Sequence, residues 1–229
     1  MNTTFCPLTR LVCRFGLGLG FVLGAAVASS QTVFLSSLGQ SPAGYSDVSF
    51  STSGSTHSAV GQAFTVGGAD VILDNVTIKT AGTGTGTGFT VGLYSHNSFS
   101  TAPDSLIETL TGETAPTAIG TYSYTSSAST LLLANTTYWW VATVPSGTDS
   151  NFNINRIPLG SMSASGGWSA LQSYGTTMTG TNFDGWSGIG GRSVEFSISA
   201  SAVPEPATAV LLAGLAALGA AVSRRSRRA

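Results

Sequence analysis

The two histidines are the residues of this chain best suited to acid–base chemistry. His57 and His96 lie among serine, threonine and asparagine, and either imidazole could activate a serine if a carboxylate held it in place. No serine stands in the G-x-S-x-G sequence of a nucleophile elbow, so a triad would have to assemble from residues far apart in the chain. We therefore expect both histidines in solvent-exposed loops, and we predict that the protein is not an enzyme.

Carboxylates offer a second kind of chemistry, either paired for glycoside hydrolysis or grouped around a metal ion. Only Asp70 and Asp74 share a plausible strand face, which is thin support for a catalytic pair. Residues 149–155 resemble the start of a calcium loop, but Ile154 and Gly160 stand where that loop requires glycine and glutamate. The sequence therefore predicts no metal site and no cofactor.

Aromatic side chains could bind carbohydrate by stacking on sugar rings. In residues 131–144, LLLANTTYWWVATV, alternation along a strand places Tyr138 and Trp140 on one face and Trp139 on the other. Both faces are apolar, which favours a central strand buried between two layers. An exposed aromatic platform is the alternative interpretation.

Two further tryptophans lie in similar short sequences, GGWSA at 166–170 and DGWSG at 184–188. This likeness predicts two arms of a hairpin that bring Trp168 and Trp186 close together. The candidate glycan platform of the alternative interpretation therefore consists of Trp139, Trp140, Trp168 and Trp186.

Short strands must position these residues, because apolar and polar residues alternate with period two between turn-forming glycine, proline, asparagine and serine. The pattern predicts an all-β domain at residues 29–202, built as an antiparallel β-sandwich or jelly roll. The glycine-rich run at 81–89 lacks the Lys-Ser/Thr of a phosphate loop and is predicted to be a flexible hairpin loop. The predicted strands are Thr32–Leu38, Ser58–Val66, Val71–Thr80, Phe89–Ser95, Leu106–Thr111, Gly120–Ser126, Thr137–Val144, Phe152–Ile157, Gly167–Leu171 and Arg192–Ala200.

The start of the chain has the features of a secretory signal peptide. Two arginines precede the uncharged run Phe15–Val27, and small residues at Ala26 and Ala28 form a cleavage site for signal peptidase. The run is too short to span a bilayer, which needs about 20 residues. We expect residues 1–28 to be removed after Ala28, with Ser30 as the alternative.

Removal of that segment changes both the cysteine content and the charge of the protein. Cys6 and Cys13 are the only cysteines, so the exported chain has no disulfide and no thiolate ligand. The domain at 29–202 carries three basic and nine acidic residues, a net charge of −6. A protein that binds nucleic acid needs a basic face, so we expect no nucleic-acid partner.

The end of the chain combines three features in a fixed order. Val203–Pro206 reads Val-Pro-Glu-Pro, and its two prolines favour an extended chain. Ala207–Val222 follows as 16 uncharged residues, predicted to be a helix about 24 Å long that marginally spans the inner membrane. Four arginines then favour retention of this end in the cytoplasm, which leaves the β domain outside. They are Arg224, Arg225, Arg227 and Arg228.

This order of Pro-Glu-Pro, short apolar helix and terminal arginines resembles the PEP-CTERM protein-sorting segment of Gram-negative bacteria. The resemblance covers residues 203–229 and implies recognition by an exosortase, a membrane-embedded cysteine transpeptidase that cleaves near the motif. By that match Val203, Pro204, Glu205 and Pro206 are the recognition residues of a substrate.

Three parts of the body also have a family resemblance: VILDNVTIKT at 71–80, FTVGLYS with PDSLIETLTG at 89–112, and LLLANTTYWWVATV at 131–144. They are similar to the choice-of-anchor domains, most of all to the R type. These domains occur with alternative surface-anchoring tails, and the resemblance implies no enzymatic activity.

These observations together predict an exported protein of the cell surface or extracellular matrix. The expected partners are signal peptidase, exosortase, the inner membrane before processing, and exopolysaccharide of a biofilm, with a structural or adhesive role for the domain. The alternative is an extracellular module that binds or degrades carbohydrate. The two differ in whether the four tryptophans are exposed beside clustered acids or buried.

Overall fold

The computed structural model describes residues 31–51, 56–82, 84–145, 147, 149–158, 160–179, 186–188, 192–203 and 214. The body is all-β, and every strand pair among these residues is antiparallel, which confirms the predicted fold class. The strands are β1 Thr32–Ser36, β2 Tyr45–Ser51, β3 Thr56–Thr65, β4 Val71–Ala81, β5 Thr90–His96, β6 Pro103–Leu110, β7 Ile119–Thr125, β8 Leu131–Leu132, β9 Thr137–Thr143, β10 Ser150–Pro158, β11 Ser163–Ala164, β12 Ser169–Thr179, β13 Ser187–Gly188, β14 Arg192–Val194 and β15 Phe196–Ala202.

The strands form two layers that belong to one continuous hydrogen-bonded sheet. One layer has the order β1-β15-β4-β7, and the other has the order β6-β5-β9-β3-β12. Strands β10 and β2 connect them: β10 pairs with β4 at Ile154 and Thr80 and with β2 over Ser150–Asn155, and β2 pairs with β3. The sheet therefore folds over on itself as a sandwich.

The core lies between the layers and is built from the inward faces that alternation predicts. Ile78 and Phe196 of the first layer meet Phe64 and Trp140 of the second, and all four side chains are fully buried. The Trp140 and Phe196 rings lie 5.5 Å apart between centroids, which shows that β9 and β15 face each other. Burial of these large apolar side chains is the main stabilising contribution to the fold.

The second layer carries another apolar cluster on its outer face. This outer cluster consists of Ala59, Ala63, Trp139 and Val141. Tyr94 and Trp186 pack against it, and a Cβ at Gly61 would lie 3.1 Å from the Trp186 ring. Glycine at position 61 therefore lets the indole lie directly on the sheet.

Each predicted strand overlaps an observed one, but β12 continues to Thr179, eight residues beyond the predicted end at Leu171, and the prediction at Arg192–Ala200 is divided into β14 and β15. The structure also adds strand β2 and corrects one loop. Strand β2, YSDVSFS, was not predicted, although Val48 and Phe50 alternate with serines; its aspartate has low strand propensity. The run at 81–89 is not a hairpin loop, since β4 and β5 pair with different strands and the run links the two layers. Glycine is needed there because a Cβ at Gly84 would lie 2.8 Å from the Phe152 ring.

Candidate functional site

The sorting sequence leaves the body at the end of β15. Ala202 is the last paired residue and lies opposite Val71 of β4. Just before it, the Ser201 hydroxyl donates to the Asp74 carboxylate, with oxygens at 2.8 and 2.7 Å. Val203 follows this anchored strand directly. Pro204, Glu205, Pro206, the four arginines of the tail, Ala26 and Ala28 lie outside the described residues.

Both ends of the body emerge at the same end of the sandwich. Strand β1 pairs with β15 so that Thr32 lies opposite Ala200, two residues before the end of the last strand. The turns at 66–70, 97–102 and 133–136 lie at this end too, because β3, β5 and β8 finish there. We call this the exit end, since the segments predicted for signal peptidase and exosortase both join the domain here.

Two of the four candidate tryptophans are part of the core. Trp140 is fully buried, and Trp168 is 5% exposed. The Trp168 ring stacks between Phe34 and Phe64, with centroids 5.0 and 5.8 Å away. Neither indole offers a face to a ligand from solution.

The other two candidate tryptophans lie on the outer face of the second layer. Trp139 is fully buried there, and the partly exposed Trp186 packs on it with ring centroids 5.7 Å apart and planes at 51°. Trp139 and Trp140 therefore face opposite sides of β9, as alternation predicted. Trp168 and Trp186 belong to different clusters, so the structure does not bring the four rings into one surface.

The histidines are not in exposed loops, so that prediction is wrong. His57 lies in β3 and is 7% exposed, and His96 is the last residue of β5. His96 accepts a hydrogen bond at Nδ1 from the Trp139 indole N–H, 3.0 Å away. A polar partner for the buried indole is the physical reason for a histidine at this position. The contact between His96 and Trp139 depends on the pairing of β5 with β9, which no local sequence pattern indicated.

A buried carboxylate, Glu195, joins four segments of the chain. It lies at the bend between β14 and β15 and is fully buried. Its carboxylate accepts hydrogen bonds from Lys79 Nζ at 3.0 Å, Gly39 N at 2.8 Å and Asn155 Nδ2 at 3.1 Å. The ion pair and the two neutral donors replace the water that this charge loses on burial. The role of Glu195 is therefore structural.

A second carboxylate, Glu108, holds the turn between β7 and β8 against β6. It accepts hydrogen bonds from the Thr130 and Ser126 hydroxyls at 2.5 and 2.7 Å, and from Ala128 N and Ser127 N at 3.0 and 2.7 Å. Burial raises the pKa of Glu108, but these hydrogen bonds outweigh burial and lower the pKa to about 2. The carboxylate therefore remains ionised in the folded protein over a wide pH range.

Asp70 and Asp74, the two acids that share a plausible strand face in the sequence, accept hydrogen bonds from different partners. Asp74 accepts from Ser201, whereas Asp70 accepts from Ala134 N at 2.8 Å. The start of the apparent calcium loop forms β10, where Phe152 and Ile154 are buried in the core as their alternation indicates. Among the residues that the structure describes, no group of three or more histidine, cysteine and acidic residues could hold a metal ion.

Comparison with known families identifies the segment that follows β15. The family model of the PEP-CTERM protein-sorting motif matches residues 202–228. The chain carries a PEP-CTERM sorting motif. The motif implies that the protein is exported, has a C-terminal membrane anchor before processing, and is processed by exosortase. It begins at Ala202, the last residue of the sheet.

The sorting motif covers only the end of the chain, and the body lies outside the match. No curated protein matches the chain. The all-β body is consistent with the choice-of-anchor resemblance, and the type of that domain stays a prediction. Within the described ranges, no helix is long and apolar enough to cross a membrane.

Loss of the Glu108 carboxylate should make the fold less stable and less sensitive to acid. We expect Glu108→Gln to lower the free energy of unfolding at neutral pH by about 2 kcal/mol, because several hydrogen bonds to a charged group are lost. In the wild type this contribution is present above the ordinary pKa of 4.5 and disappears as the pH falls toward the folded pKa of about 2. Thermal unfolding measured between neutral pH and about pH 3 should therefore show a shallower decline for the variant.

Glu113→Gln is the matched control for this experiment. The Glu113 side chain is exposed and accepts one hydrogen bond, from Ala115 N at 2.8 Å. Its replacement should change stability by less than about 0.5 kcal/mol at any pH. Equal acid sensitivity of the wild type and Glu108→Gln would contradict the role given to Glu108.

Proposed function

We propose that the β-sandwich is a non-enzymatic structural or adhesive module of the extracellular matrix, delivered there by exosortase processing. The sorting motif supports an exosortase-processed, secreted surface protein. The proposal adds what the body does after processing: it associates with exopolysaccharide as a folded, cysteine-free domain. The observation that carries it is the position of the motif, which starts where the last strand of the folded body ends.

The use of the polar side chains supports a structural role. Three carboxylates accept hydrogen bonds from donors of the same chain: those of Glu195, Glu108 and Asp74. Each of these contacts stabilises a junction between strands or turns. His96 is likewise occupied by the Trp139 indole. These four groups are engaged in contacts within the fold, which supports a structural role for the domain.

The surface composition supports the same role. Only 8% of the residues are charged, against about 25% in typical proteins, and hydroxyl and amide groups take their place. Such groups form neutral hydrogen bonds with the hydroxyls of a polysaccharide. The carbohydrate-binding alternative, with its aromatic platform, receives no comparable support, because Trp139, Trp140 and Trp168 are all buried.

The proposal can be tested by following the body in a host that contains an exosortase. We expect an antibody to the body to detect the processed form in the matrix fraction, and we expect removal of the exopolysaccharide to shift it into the medium. The control is the same body carrying a plain apolar anchor without Pro-Glu-Pro. It should stay with the inner membrane whether or not the host makes the exopolysaccharide. A processed form that is free in the medium whether or not exopolysaccharide is present would contradict matrix association.

A further inference from the structure

The exit end exposes four large apolar side chains. Phe99, at the tip of the β5–β6 turn, is 99% exposed. Val33, Leu133 and Leu131 are 53%, 49% and 47% exposed, and they lie beside the two chain ends. Among the described residues at the opposite end of β4, the exposed large apolar residue is Ile119.

The turn that carries Phe99 is held in place by hydrogen bonds. Asn97 N donates to Ala102 O at 3.0 Å, and Phe99 N donates to the Asn97 side-chain oxygen at 2.9 Å. The adjacent strand is fixed by pairing of Ser95 with Tyr138, whose hydroxyl accepts from Leu133 N at 3.1 Å. Phe99 and Leu133 thus project from an ordered part of the sandwich.

The turns of the exit end also carry little charge, although the exposed Asp104 lies just after the 97–102 turn. The turns at 66–70, 97–102 and 133–136 contain no lysine or arginine, and their one acid is Asp70. The Asp70 carboxylate accepts from Ala134 N, so part of its charge is directed at the turn itself. An apolar, nearly neutral surface of this kind favours a partner that attracts by hydrophobic contact rather than by charge.

The chain that follows the exit end limits how far this surface can be from a membrane. Five residue steps separate Ala202 from Ala207, the first residue of the apolar run, and each step spans at most about 3.6 Å. The linker therefore reaches at most about 18 Å. Headgroup layers are about 5–8 Å thick on each side of the hydrocarbon. The exit end is thus held close to the lipid surface for as long as the tail anchors the protein.

We propose that the exit end rests on the lipid surface of the inner membrane before processing, with Phe99 and Leu133 entering the headgroup region. The inference rests on the proposed function only in that it requires a membrane-anchored precursor. Apolar contact with the interface is typical of phenylalanine and leucine on proteins that lie at membrane surfaces. Because the contact is not electrostatic, salt should not release it. Seating in this orientation holds the sorting motif at the membrane surface.

The proposal predicts that a probe at the exit end contacts lipid and that a probe at the opposite end does not. Ser100→Cys lies next to Phe99, and Ala118→Cys lies next to Ile119, so each probe has an exposed apolar neighbour. The full exported chain, with its tail, is purified from a host without exosortase and labelled with a fluorophore at the single cysteine. It is then reconstituted in phosphatidylethanolamine and phosphatidylglycerol vesicles that contain a headgroup nitroxide quencher.

We expect quenching at position 100 to exceed quenching at position 118 by about threefold or more, and to persist in high salt. Adding Phe99→Ser should reduce quenching at position 100 toward the value at 118, whereas adding Ile119→Ser should change neither probe. Equal quenching at the two positions would overturn the proposal. Quenching at position 100 that appears only when exosortase is included would also overturn it and would indicate a protein contact.

Processing is measured separately, by the size shift of the same variants in an exosortase-bearing host. Normal processing without lipid contact rejects the membrane seating and leaves the proposed function intact. Lipid contact without processing rejects the proposed function and leaves the seating intact. The two ideas therefore fail on different measurements.

Discussion

Glu195→Ala will lower the free energy of unfolding by about 3–4 kcal/mol, a large part of the total of about 5–15 kcal/mol expected for a domain. The change leaves Gly39 N and Asn155 Nδ2 without their acceptor in a buried site, and it leaves Lys79 without its counter-ion. The Lys79 side chain is 28% exposed and can recover some hydration, which limits the effect. Thermal and denaturant unfolding of the purified chain measure the loss, with a melting temperature about 10 °C lower.

Controls separate the buried network from a general effect of charge. Asp104→Ala removes the same charge from an exposed side chain and should change stability by less than about 0.5 kcal/mol. Lys79→Met alone leaves the buried Glu195 carboxylate without its counter-ion. The free energy of unfolding lost by the double variant Lys79→Met/Glu195→Gln should therefore be smaller than the sum of the losses in the two single variants. Strict additivity, or a Glu195→Ala protein as stable as the wild type, would show that the ion pair does not couple these strands.

Sequence alternation could not have predicted that Glu195 is buried, although it predicted the strand region that forms β14 and β15. In RSVEFSISA, alternation places Phe196 and Ile198 inward and Glu195 outward with the serines. The structure breaks the strand at Glu195, whose carboxylate contacts Lys79 and Asn155. The serines of the same face are buried as well, so this face is covered and not exposed: Ser193, Ser197 and Ser199. Lys79 and Asn155 lie far away in the sequence, so the buried position of Glu195 depends on pairing that no local pattern encodes.

The same distinction explains the aromatic residues and the glycine-rich run. The opposite directions of Trp139 and Trp140 follow from the two-residue period of one strand, so the prediction was confirmed. The predicted contact of Trp168 with Trp186 is wrong because of register: β12 and β13 do pair, but Tyr174 lies opposite Gly188, and the two indoles belong to different clusters. The prediction of a hairpin loop at 81–89 is wrong for a different reason, since a turn sequence does not say which layer the next strand joins.

The tail could be predicted from sequence alone because its signal is local. Pro-Glu-Pro, the apolar run and the arginines are adjacent in the chain, and a family match at 202–228 confirms the sorting motif. The structure adds the position of the motif, which follows a strand end anchored by Ser201 and Asp74. The body offers no such local signal, so its ligand could not be predicted in the same way.

Replacing two residues of the motif should abolish processing while the protein remains in the membrane. In a host with exosortase, we expect Glu205→Ala/Pro206→Ala to accumulate as a precursor in the inner-membrane fraction, heavier than the processed wild type by the mass of the tail. Neither change shortens the apolar run Ala207–Val222, so membrane insertion should be unaffected. A fractionation blot of the two proteins side by side measures both size and location.

A matched change elsewhere in the tail tests whether the effect belongs to the motif. Thr208→Ala/Ser223→Ala also replaces two residues but leaves Pro204, Glu205 and Pro206 in place, and we expect it to be processed like the wild type. Neutral replacement of the four terminal arginines should weaken cytoplasmic retention of the C-terminus whether the tail is a sorting signal or a simple anchor, because that retention depends on charge near the membrane. Only the motif change distinguishes the two mechanisms. Identical size and location of wild type and Glu205→Ala/Pro206→Ala would mean that hydrophobicity alone holds the protein and that the Pro-Glu-Pro sequence is not read.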